Sequence, residues 1–69
     1  MRDFTVRGTR EDYTDLIIEM GNYEWKGHTT FSTKPHPHNP KGEICITWKS
    51  TNDEDFFKIF NLYSEIKQR

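Results

Sequence analysis

Apolar residues in this chain recur at every second position in three stretches and at three-to-four spacing in two others, and the two periods interleave along the sequence. That interleaving fixes the order of elements before composition is considered. In 3–7, Phe4 and Val6 fall on one side and Asp3, Thr5 and Arg7 on the other, with Gly8 as the break, which predicts a short strand. Thr9 stands three residues before Asp12, a variant of the capping box, and Tyr13, Leu16, Ile17 and Met20 follow at i, i+3, i+4 and i+7. A helix is therefore predicted over 10–20 with those four side chains inward. Glu11 and Asp12 lie in its first turn, where the helix dipole favours negative charge, and Gly21 with Asn22 supplies left-handed residues of the kind that close a helix.

From Tyr23 to Thr33 the odd positions carry Tyr23, Trp25 and Phe31 while the even positions are polar, which predicts a long half-buried strand with Gly27 at a bulge. All three prolines, Pro35, Pro37 and Pro40, fall in 35–42 and forbid a ladder there, so this segment is a connector. Alternation resumes over 43–49, with Ile44, Ile46 and Trp48 inward and Cys45 and Thr47 outward; this most apolar strand is predicted to be central. Thr51 has capping-box spacing to Glu54, Asn52 is a competing cap, and a last helix is predicted from residue 52 onward. Phe56, Ile59, Phe60, Tyr63 and Ile66 form its inner stripe, leaving Phe57 and Leu62 on the outer shoulders.

The order β-α-β-β-α, with one apolar face per strand, predicts a two-layer α+β sandwich in which both helices cover one face of a three-stranded sheet. A right-handed crossover followed by an antiparallel hairpin predicts a mixed sheet of order 2-3-1. A chain of 69 residues supports one core and not two, so residues 1–69 are expected to form a single small domain. Only 32% of the residues are hydrophobic and none is alanine. Ten aromatic side chains compensate, each able to bury roughly 150–250 Å².

A formal net charge of -1 argues against general polyanion binding. The longest apolar run, Leu16 to Ile18, is far short of the roughly 20 residues that span a bilayer. A single cysteine, Cys45, and no secretion-signal pattern at Met1 suggest a reducing, cytoplasmic setting. His28, His36, His38 and Cys45 are zinc-ligand types, but prolines stiffen the loop without any metal, so no metal site and no cofactor are expected. Cys45 has no orienting base in the sequence pattern, and no glycine-rich phosphate loop occurs. An enzyme is not expected.

Glu11, Asp15 and Glu19 repeat at i, i+4 and i+8, with Asp12 beside them, and have no basic partner at helical spacing. Carboxylates spaced about 6 Å apart along a helix suit a basic groove on another protein. With surplus apolar surface at Phe57 and Leu62, these residues define the expected partner-binding surface. The second strand adds a free edge, open to pairing with a second copy as a homodimer. The expectation is a small protein-binding module, a stoichiometric inhibitor or modulator of a protein partner, analogous to those that phages and other mobile elements direct against host defences. The alternative is a nucleic-acid-binding protein using the polar sheet face (Glu24, Lys26, His28, Thr30, Ser32, Cys45, Thr47) and the Lys34 to Lys41 loop.

Overall fold

A computed structural model describes residues 2–69 and contains β1 (Arg2–Gly8), α1 (Arg10–Met20), β2 (Thr29–Pro35), β3 (Ile44–Ser50) and α2 (Asp53–Lys67). β3 is the central strand, in the order β1-β3-β2. The fold is α+β with the predicted strand order. Both ladders are antiparallel, so β1 and β2 run in the same direction without touching. The sheet expected to be mixed therefore holds no parallel ladder.

The register aligns Phe4, Trp48 and Phe31 across the three strands, and Val6, Ile46 and Thr33 beside them, so these side chains share a face. Ile44, Ile46 and Trp48 join Leu16 of α1 and Phe56, Ile59, Leu62, Tyr63 and Ile66 of α2 in one buried cluster. Trp48 is fully enclosed, with the rings of Phe4 and Phe56 at 5.5 and 5.7 Å. Its indole Nε1–H is buried without a hydrogen-bond partner among the described residues, a cost of about 1–3 kcal/mol that the aromatic packing offsets.

α1 starts where the capping box predicts. The Asp12 N–H donates to Thr9 Oγ1 (3.1 Å), and the Thr9 N–H donates back to Asp12 Oδ2 (3.0 Å). Its end differs from expectation: Gly21 is right-handed (φ -64), and no described residue has a positive φ. The Gly21 and Asn22 N–H groups donate to the Ile18 and Glu19 carbonyls at 3.1 Å each, and the Met20 carbonyl accepts from the Tyr23 N–H (3.2 Å) and the Trp25 indole (3.0 Å), so the last turn is satisfied without a left-handed residue.

The second strand begins at Thr29, not Tyr23, because the backbone donors ahead of it are claimed elsewhere. The N–H groups of Lys26 and Gly27 donate to the Asp55 carboxylate at 3.1 and 2.8 Å, and the His28 N–H donates to Thr51 Oγ1 at 2.9 Å. Gly27 is consequently not a bulge but a close approach, where a Cβ would lie 2.4 Å from Thr51 Oγ1. Trp25 reaches the core edge from this 21–28 loop rather than from a strand. β2 then runs on to Pro35, and β3 starts at Ile44, one residue later than predicted.

Since Thr51 is engaged by His28, Asn52 caps α2, its Oδ1 accepting from the N–H groups of Glu54 and Asp55. The inner face of α2 is rotated from the predicted stripe. Leu62, expected outside, is 5% exposed, and Phe60, expected inside, is 36% exposed. Asp55, Ile59, Leu62 and Ile66 fall within one arc about 60° wide, displaced towards the Leu62 shoulder because α2 packs on α1 as well as on β3.

Candidate functional site

The acidic residues of α1 separate into two pairs. Asp12, part of the capping box, also accepts from Lys67 Nζ at 2.9 Å, and Glu19 accepts from Arg69 at 3.0 Å. Burial alone would raise the Asp12 carboxyl; the Thr9 N–H and the Lys67 ammonium outweigh it and hold the group below its ordinary value. The same contact raises the Lys67 ammonium. The partners absent at helical spacing come instead from the far end of α2. Glu11 and Asp15 are exposed and make no ion pair among the described residues.

One turn beyond Asp15, α1 presents apolar surface. Ile18 is 63% exposed and Ile17, predicted inward, is 41% exposed. Leu16 is the one fully buried residue of α1, with Tyr13 and Met20 partly covered. At about 100° per residue, Glu11, Asp15 and Ile18 fall within one narrow arc, so the two exposed acids and the most exposed isoleucine share a side.

Of the two α2 residues assigned to the partner surface, Leu62 belongs to the core and is withdrawn from it. Phe57 is half-exposed, its ring packed edge-on against Phe56 at 5.3 Å. Lys58 lies over the rings of Tyr23 and Trp25, 5.2 and 5.5 Å from their centroids, tying α2 to the 21–28 loop. On another flank, Phe4, Val6, Phe60 and Tyr63 line an open groove of about 420 Å³ beside β1.

The other sheet face is polar but differs from the predicted set. Thr30, Ser32, Cys45 and Thr47 lie on it, whereas Glu24, Lys26 and His28 are in the loop. The register adds Asp3, Thr5, Arg7, Lys34 and Lys49. Thr5 and Thr47 hydroxyls share a 2.8 Å hydrogen bond. Arg7 chelates Glu43 through two nitrogens; that bond, with a second from Asn39, lowers the Glu43 carboxyl to about 2.

The candidate metal ligands are dispersed. His28 sits by Thr51 at one end of β3, and His36 pairs with Glu43 at the other. His36 Nδ1 accepts from the His38 N–H at 3.1 Å, and no group of three His, Cys, Asp or Glu among the described residues is placed to hold a metal. Cys45 stands across the ladders from Arg7 and Lys34. No described helix is long and apolar enough to cross a membrane.

Two contributors escaped the sequence analysis. Asp55 looked like a dipole-complementing acid, yet its i, i+4, i+7, i+11 relation to Ile59, Leu62 and Ile66 already placed it inward. Ile18 carried no signal, since its neighbours Leu16 and Ile17 claimed the apolar face. The chain matches no known family model and no solved structure.

Proposed function

We propose that this protein is a non-enzymatic binding module, a stoichiometric inhibitor or modulator, that seats α1 in a groove of a protein partner with an apolar floor and basic rim. The observation that carries the reading is the juxtaposition of exposed Ile18 and Ile17 with the exposed carboxylates of Glu11 and Asp15, which make no ion pair among the described residues, on a helix that gives only Leu16 wholly to the core. Asp12 and Glu19 support the helix rather than meet the partner, because Lys67 and Arg69 already occupy them. Phe57 extends the apolar surface on α2. A lone free thiol is compatible with the cytoplasm as its setting. The buried cluster shared by both helices and β3 supports their lying together over one sheet face, which leaves the outer side of α1 for docking.

Affinity capture from the native cell, then titration of the captured protein, tests the reading. Asp15→Lys and Ile18→Ser are each expected to weaken one-to-one binding at least about tenfold, the scale of losing one good contact. An unchanged affinity in both variants removes α1 as the surface.

A second reading has its own support. Arg7, Lys34 and Lys49 stand on the open sheet face against Asp3 and Glu43, and since Glu43 is taken up by Arg7, Lys34 and Lys49 supply the positive charge a phosphate would meet. A nucleic acid bound there would lose affinity steeply with salt. No binding of DNA or RNA at low salt excludes it.

A further inference from the structure

We propose that two copies of this chain pair through β1, antiparallel about Thr5, to form one continuous sheet. The hydrogen-bond pattern fixes which groups are available. The His36 N–H donates to the Glu43 carbonyl at 3.0 Å and the Thr51 N–H to the His28 carbonyl at 2.9 Å, in the same register that aligns Ser32 with Thr47. Odd residues of β3 therefore turn their backbone groups to β2, and even residues turn theirs to β1. Because Phe4 aligns with Trp48 and Val6 with Ile46, the even residues of β1 bond β3. Asp3, Thr5 and Arg7 hold their N–H and C=O groups out from the free edge.

Two such edges join antiparallel only when odd residues face odd residues. Centring on Thr5 uses every outward group of the three: Asp3 faces Arg7 of the second copy, Thr5 faces Thr5, and Arg7 faces Asp3. The register that satisfies the backbone also sets opposite charges across from each other twice, by symmetry. On the other face it sets Phe4 against Val6 of the second copy, an aromatic against a β-branched side chain. A shift to the next permitted register puts Thr5 opposite Arg7 and deprives Asp3 of its cation. Arg7 holds Glu43 with Nε and one terminal nitrogen, leaving the donors of its other terminal nitrogen for Asp3.

The apolar surface beside this edge fits the same occupant. Phe4 is 40% exposed, its ring 5.3 Å from that of Phe60, and the groove they line with Val6 and Tyr63 runs along β1. Val6 and Phe4 of a second copy arrive over it. β2, the edge expected from sequence to self-pair, is poorly suited: its outward positions are 29, 31, 33 and 35, Pro35 has no N–H, and no acid on the strand answers Lys34.

Sedimentation equilibrium over a concentration series tests the proposal. The wild type is expected to dimerise reversibly. Thr5→Pro removes an N–H that only the second copy uses, on a free edge where proline is tolerated, and is expected to raise the dissociation constant at least about 100-fold with an unchanged far-ultraviolet spectrum. Should Thr5→Pro fail to fold, charge exchange decides: Asp3→Arg alone and Arg7→Asp alone are monomeric, and their mixture regains the dimer. A wild type monomeric at about 1 mM, or a dimer indifferent to both Thr5→Pro and the charge variants, overturns the proposal.

Discussion

The two helices are used in opposite ways. α2 has six buried residues in its fifteen, among them Ile59, Leu62 and Ile66, whereas α1 has Leu16 alone in its eleven. α2 is a core element in which most of the apolar content is spent on packing. α1 is held largely by ties at its ends: the Thr9–Asp12 box and Lys67 at its start, Arg69 on Glu19 and the Trp25 indole on Met20 at its finish. A helix anchored at its ends, with Leu16 buried and Tyr13 and Met20 packed at the core edge, can keep Ile17 and Ile18 outside.

That contrast is broken most directly at Leu16. If Leu16 is the principal apolar anchor of α1, Leu16→Ala costs about 2–5 kcal/mol in urea unfolding, as much as a core truncation in α2 such as Ile59→Ala. A neutral Leu16→Ala would mean that the polar ties and the edge contacts of Tyr13 and Met20 hold the helix without it. Next in size is Asp55→Ala, which deprives the Lys26 and Gly27 N–H groups of their buried acceptor. The expected cost is about 2–3 kcal/mol, with faster amide exchange at both positions. Unchanged exchange there would show that the 21–28 loop is held without Asp55.

The Asp12–Lys67 tie of α1 and the Glu43–Arg7 pair beside the sheet respond to pH. Glu43 is lowered to about 2 in the folded chain, so its contribution is complete above 4.5 and is lost as pH falls towards about 2; Asp12 is lowered from 3.8, so its contribution is complete above that value and is lost as pH falls through its lowered one. Lys67, being raised, stabilises fully below 10.5 and loses its effect only as pH rises beyond that. The melting temperature is expected to drop between pH 4.5 and 2, and Glu43→Gln and Lys67→Met should each make that decline shallower. A slope untouched by Lys67→Met would remove the Asp12 contact from the ties that hold α1.

Element order, strand order and the extent of α1 were legible because period and capping are local properties of Thr9, Asp12 and the β3 alternation. What was not legible depended on contacts distant in sequence. Tyr23 and Trp25 continue the period of β2, and nothing local reveals that Asp55, far along the chain, takes the neighbouring N–H groups. The rotation of α2 had the same origin. A stripe centred on Phe56 and Phe60 is the better single-helix solution, but a second contact with α1 moves the buried arc to Leu62. In the candidate surface, the acids were correctly placed on α1, while Lys67 and Arg69 reach it only through the tertiary fold.

The smallest expected effect on stability separates display from packing most cleanly. Ile18 is 63% exposed, so Ile18→Ser removes little burial and should change unfolding free energy by no more than about 0.5 kcal/mol. Serine has helix propensity close to that of isoleucine, which leaves α1 intact. If Ile18 is there to meet a partner, this near-silent change in stability accompanies a large loss of binding, while Leu16→Ala loses both together. A destabilisation of several kcal/mol at Ile18 would instead place that side chain in a packed interface of the free protein, and the division of labour between the two helices would fail at the residue that defines it.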